Sequence, residues 1–123
     1  MKRLFIIASI VFSFDCKKES VAQQEAAILI NTPTTNQHFV IGDTILIDGT
    51  VTHNISLESV AVFMVNLSTN NEFFHYHFTA LDKTTYNYNA AYEVIENTKT
   101  SFKVGATDKE WHISMKDMMI AIN

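Results

Sequence analysis

Cysteine occurs once in these 123 residues, at position 16, so no disulfide can form within the chain. The lone thiol is left three uses: a free group, a bridge to another molecule, or a point of covalent attachment. Proline also occurs once and glycine three times, which leaves Asn, Asp, Ser and Thr to make most of the turns. Basic residues are few and nowhere clustered, with 9 Lys and Arg against 13 Asp and Glu and a net charge of −4. Binding to nucleic acid needs Lys and Arg to neutralise phosphates, so this balance argues against it. No apolar run reaches the roughly 20 residues that a membrane-crossing helix needs. Helical periodicity is missing beyond the first few residues, and no internal repeat is present. A Gly-rich phosphate loop, a Gly-x-Ser-x-Gly elbow and a His-Glu-x-x-His helix are all lacking. Ser, His and Asp are present, but a triad is recognised by geometry and not by inventory. The expectation is a protein that is not an enzyme and has no required cofactor.

What is present begins at the N-terminus. Lys2 and Arg3 lead into an uncharged, mostly apolar run from Leu4 to Phe14, which stops at Asp15-Cys16-Lys17-Lys18-Glu19. A cationic start followed by a short apolar run is the layout of an export signal. The segment resembles a bacterial lipoprotein signal peptide, with Ser13-Phe14-Asp15-Cys16 as the lipobox, although Asp15 stands where that family carries a small residue. The resemblance implies residues 1–15 as signal, Cys16 as the lipid-bearing N-terminus, and a location at the outer membrane or cell surface. Uncleaved export and ordinary secretion to the periplasm or beyond are the other readings. Without residues 1–15 the chain has seven Lys or Arg against twelve Asp or Glu, a net charge of −5. Attachment to a membrane would then rest on acyl chains and not on attraction to anionic lipid. Residues 16–26 read as a polar tether, at most roughly 35 Å long when extended.

Residues 27–123 read as one all-β domain. Ile45, Ile47, Gly49 and Val51 alternate with Leu46, Asp48, Thr50 and Thr52, the period of a strand with one buried face. Leu57 to Leu67 is apolar on both faces, as in the centre of a sheet. Ser68-Thr69-Asn70-Asn71 then turns the chain into Glu72 to Ala80, which completes a hairpin. Leu81-Asp82-Lys83-Thr84 predicts another turn before a strand over residues 85–95, and strands follow near 101–107 and 115–122. About seven strands parted by polar turns predict a two-sheet β-sandwich, with Val62 and Phe102 in its core.

Three phrases carry a second resemblance: Phe39-Val40-Ile41-Gly42-Asp43-Thr44-Ile45-Leu46-Ile47, Leu57-Glu58-Ser59-Val60-Ala61-Val62-Phe63, and Phe102-Lys103-Val104-Gly105-Ala106-Thr107-Asp108. In this order and spacing the chain resembles the immunoglobulin-like domains of bacterial surface proteins, over about residues 28 to 122. The resemblance implies an immunoglobulin-like β-sandwich and leaves function open among spacers, adhesion modules and ligand binders. A single copy on a tether makes a poor spacer, which favours binding of a protein or glycan by the domain itself.

The sharpest chemical feature is His75-Tyr76-His77, since positions two apart on a strand share a face. Two imidazoles there could chelate Zn²⁺ or Cu²⁺, with Glu72, Asp82, His53 or His112 as further ligands. Against this, Phe74, Tyr76 and Phe78 gain more from burial than two imidazoles do, which places His75 and His77 on the outer face. Tyr86, Tyr88 and Tyr92 share a strand face and are expected in the core. Trp111 and His112, beside a turn, are candidates for an exposed binding spot.

Overall fold

The computed structural model describes residues 25–123. The signal segment, Cys16 and the tether up to residue 24 lie outside the described residues. All the regular structure described is β: β1 (Ala27–Thr32), β2 (His38–Phe39), β3 (Thr44–Asn66), β4 (Asn71–Glu93), β5 (Thr98–Asp108) and β6 (Ile113–Ile122).

Two of these strands are 23 residues long. Straight, each would reach roughly 75 Å at about 3.3 Å per residue, far beyond a domain whose radius of gyration is about 13 Å. Both therefore bend, and at the same level. The β3–β4 ladder loses register between Thr52 and Leu57 and again before Ser59, opposite Asp82, whose φ is +63°. A bulge of this kind turns a strand without ending it. The first half of β3 lies between β1 and the second half of β4; its second half lies between the first half of β4 and β5, with β6 beyond. Two layers result from one continuous ladder, and a short parallel pairing of β2 with the end of β6 completes it.

The domain is thus the expected all-β sandwich, with one correction to its strand count. Leu81-Asp82-Lys83-Thr84 does not separate two strands, and neither does the stretch after His53. Each is a bend inside a longer strand, so the seven expected strands merge to five, and the short β2 brings the described residues to six.

Alternation sets the core. Ile45, Ile47 and Val51 from the first half of β3 meet Val60, Val62 and Met64 from its second half, together with Phe102 and Val104 of β5 and Tyr88 of β4, in one buried cluster. Val62 and Phe102 are wholly buried, as expected. Tyr88 is buried too, while Tyr86 and Tyr92 pack against the cluster's margin. One side of the sandwich is crossed by β4 itself. On the other, the Ala26 N–H donates to Ser114 Oγ at 3.1 Å and Lys116 Nζ to the Ile28 carbonyl at 3.3 Å, so β1 is tied to β6.

Gly49 is needed for a close approach. The Tyr88 hydroxyl passes over it to donate to the Leu29 carbonyl at 3.1 Å, and a Cβ at position 49 would overlap both groups. Burial, and then the Asp48 carboxylate, pushes the Tyr88 phenol above its ordinary range, so it stays a neutral donor. We predict that Phe102→Ala costs about 3–5 kcal/mol and Gly49→Ala about 1–3 kcal/mol through overpacking. Urea unfolding followed by circular dichroism measures both, and wild-type midpoints would remove these residues from the core.

Candidate functional site

The expected pair comes first. His75 and His77 are exposed, and the register sets His75 opposite Phe63 and His77 opposite Ala61 on the outward face. His75 packs at 5.6 Å centroid distance against Phe63, and its Nδ1 lies 3.2 Å from Glu72 Oε2. Among the described residues, no group of three or more His, Cys, Asp or Glu side chains is disposed to hold a metal ion. Tyr76 departs from its expected place in the core: it is 51% exposed and stacks on Phe78 at 4.8 Å. The reason is its strand, since among the described residues β4 pairs only with β3, which leaves Tyr76 on a sheet edge.

The other proposed ligands gather elsewhere. Asp82 is paired with Lys109, and its carboxylate, more than that of Glu58, pushes the Lys109 ammonium up. His53 and His112 converge on Asp108, which the sequence marks only as the last residue of the phrase Phe102 to Asp108. His53 sits where β3 bends, Asp108 ends β5, and His112 precedes β6. Lys109 N–H donates to the Ser56 carbonyl at 3.4 Å, which joins the bend to the β5–β6 turn.

Asp108 and His53 are both buried, with side chains 6% and 3% exposed. Asp108 Oδ1 accepts the N–H groups of Glu110 and His112, each at 2.9 Å. Its Oδ2 lies 3.0 Å from His112 Nδ1. Burial alone would raise the Asp108 carboxyl, but the His112 N–H and ring and the Glu110 N–H outweigh it, so the group sits below its ordinary range. The turn so held keeps Trp111 at φ +66°, a conformation that costs a bulky residue roughly 1–2 kcal/mol, with the side chain 71% exposed.

His53 works in the opposite sense. Its Nδ1 accepts the N–H groups of Ile55 and Ser56 at 3.0 and 3.1 Å, which puts the proton of the neutral ring on Nε2. That Nε2 lies 3.2 Å from Asp108 Oδ2, yet off the angle of a hydrogen bond, and among the described residues neither it nor Ser56 Oγ has a hydrogen-bond partner. With Nδ1 committed to two amides, His53 has no lone pair with which to activate Ser56, so the three residues do not form a hydrolytic triad. Beside them lies a small solvent-open pocket of about 50 Å³ lined by His53, Ile55, Ser56, Asp108, Lys109, Glu110 and His112.

No protein-family model and no curated protein sequence matches the chain. Among solved structures, it is similar to the fibronectin(III)-like modules of CbhA from Clostridium thermocellum, with TM-score 0.56 and 16% identity over 78% of this chain and 94% of that one. It is also similar to the CARDB domain of the PF1109 protein from Pyrococcus furiosus, solved in complex with di-metal ions, with TM-score 0.55 and 7% identity over 83% and 90% of the two chains. At such identities the likeness is one of fold: the domain is an immunoglobulin-like, fibronectin III-like β-sandwich.

Because the native Asp108 pKa lies below its unfolded value, its contribution to stability is complete above the ordinary carboxylate range near pH 4. It is lost as pH falls through the lower native value. We predict that Asp108→Asn, which keeps an acceptor for the two amides, flattens this acid limb relative to wild type. Denaturant midpoints measured from pH 2 to 6 for both proteins test this, and parallel curves would contradict it.

Proposed function

We propose that the chain is a non-catalytic binding module held at the outer membrane or cell surface by acyl chains on Cys16, and that it engages a protein or glycan through the β3-bend end of its sandwich. One observation carries the reading: a small solvent-open pocket lined by two imidazoles and a carboxylate, beside a turn that spends conformational energy to expose Trp111. Strain of this kind collects at ligand clamps, and exposed Trp is a common anchor of interfaces. The commitment of His53 Nδ1 to backbone amides favours binding over catalysis. The anchor rests on the layout of residues 1–16, and a tether up to Ala26 suits display of the domain away from the bilayer.

A second reading keeps His75 and His77 as a weak site for Zn²⁺ or Cu²⁺. Their shared, exposed face favours it, since imidazoles there can take a metal without unfolding anything. Calorimetry with each metal on wild type and on the His75→Ala/His77→Ala variant decides it, because equal heats exclude the pair.

The main reading is tested on cells that display wild type, Trp111→Ala or Cys16→Ala, fed a palmitate analogue and exposed to panels of purified surface proteins and glycans. We predict saturable binding by wild type and at least a tenfold loss in Trp111→Ala. Cys16→Ala should lose both the label and the membrane. Undiminished binding by Trp111→Ala would move the site elsewhere, and continued labelling of Cys16→Ala would refute the anchor.

A further inference from the structure

One chain leaves its paired histidines half built. His75 and His77 stand on the outward face of β4, with no third ligand beside them among the described residues. The strand that carries them also has a vacant side. Among the described residues β4 pairs only with β3, so alternate N–H and C=O groups along its other side face away from any partner strand.

Edges of this kind are normally blunted by charged side chains, proline or a bulge. From Phe73 to Leu81 there is no charged residue, no proline and no glycine. The pairing with β3 is regular from Phe74, opposite Met64, to Thr79, opposite Ser59, and its irregularities fall on either side of that stretch. This regular, uncharged, aromatic-rich segment is a template for another strand.

Its sequence says which strand. Phe74-His75-Tyr76-His77-Phe78 reads the same in both directions. Two copies laid antiparallel about a two-fold axis through Tyr76 therefore match residue for residue: Tyr76 meets Tyr76 of the second copy, and Phe74 meets its Phe78. No like charges are opposed, because Glu72 falls opposite Ala80 of the second copy. On the core side of the sheet the stack of Tyr76 on Phe78 runs on into the second copy, and Tyr76, 51% exposed in one chain, is covered.

On the outward face the same register sets His75 opposite His77 of the second copy, and His77 opposite its His75. The four Cα atoms mark a rectangle of about 7 by 5 Å, from the rise along a strand and the spacing across a pair. Its centre is roughly 4 Å from each corner, so all four side chains reach one ion. Four imidazoles make a full tetrahedral set for Zn²⁺. Glu72 Oε2, 3.2 Å from His75 Nδ1, favours the ring proton on that nitrogen and leaves Nε2 to the metal, as carboxylates beside ligating imidazoles do. A ladder of these five residues is marginal in water by itself, so the ion is what closes the pair.

We infer that β4 binds a second copy of this chain edge to edge about Tyr76, and that His75 and His77 of both copies together hold one Zn²⁺ ion. The inference rests on the paired-histidine reading and names what completes that site.

The test uses the full-length chain without a histidine tag, in a mild detergent, titrated with Zn²⁺ and, as a control, Mg²⁺. Calorimetry counts the ions, and sedimentation counts the chains in each particle. Saturation should come at one Zn²⁺ per two chains with a doubling of protein mass, reversed by a chelator, and Mg²⁺ should do neither. His75→Ala and His77→Ala, exposed changes that spare the fold, should each weaken Zn²⁺ binding at least tenfold and stay single. Cross-linking reads the register in a Cys16→Ala background with Zn²⁺ present. Tyr76→Cys should give a disulfide-linked pair under oxidised glutathione, whereas Thr79→Cys, about 20 Å from its own copy, should not. One Zn²⁺ per chain without a change of mass would overturn the second copy and leave the histidine pair standing. No binding, or binding that both alanine variants retain, would overturn the pair as well. A dimer that Thr79→Cys locks and Tyr76→Cys does not would overturn the pairing about Tyr76.

Discussion

The bend shared by β3 and β4 is the constraint on which the rest of the structure depends. Two strands of 23 residues cannot run straight through a domain this small, so the ladder between them folds over, and that fold creates both layers of the sandwich. Everything inside follows from it. Ile45, Ile47 and Val51 can face Val60, Val62 and Met64 only because the same strand returns across itself, and Phe102 and Tyr88 fill the space between. Burial of these side chains, at about 25 cal/mol per Å² of apolar surface, is what holds a domain that has no disulfide to help it.

A bend breaks the ladder locally, and the freed backbone groups need other partners. His53 supplies them on one side by accepting the Ile55 and Ser56 N–H groups. Asp108 supplies them on the other by accepting those of Glu110 and His112. Each side chain spends one polar atom on the backbone, and their remaining atoms meet: His53 Nε2 lies 3.2 Å from Asp108 Oδ2, which also lies 3.0 Å from His112 Nδ1. The two strands' corner and the β5–β6 turn are thus held against each other beside the pocket. On the outer sheet face, by contrast, His75 and His77 have solvent, Phe63 and one carboxylate for company, with nothing that fixes both rings.

Much of the fold was legible because alternation is local. The Ile45-Ile47-Gly49-Val51 pattern gave a strand with one buried face, and the two-sided run from Leu57 marked a strand that does lie between two others. The bends were not legible. Leu81-Asp82-Lys83-Thr84 has the composition of a turn, and only the partner strand decides whether Asp82 at φ +63° ends a strand or kinks it. Gly49 likewise reads as one more inward position until Tyr88, 39 residues on, crosses it. The site was half visible: Trp111, His112 and His53 stood out by residue type, but Asp108 did not. It lies 55 residues from His53, and topology alone brings them together.

Native-state hydrogen exchange at four amides tests the central claim, that one buried carboxylate and one buried imidazole pin the corner on which the sandwich and its pocket are built. The N–H groups of Ile55, Ser56, Glu110 and His112 should exchange slowly in the wild-type protein. In Asp108→Ala they should lose protection together, while Val62 and Val104 in the core strands keep theirs. Four amides that exchange in the variant as they do in the wild type would show that the corner stands without the carboxylate, and would contradict the account.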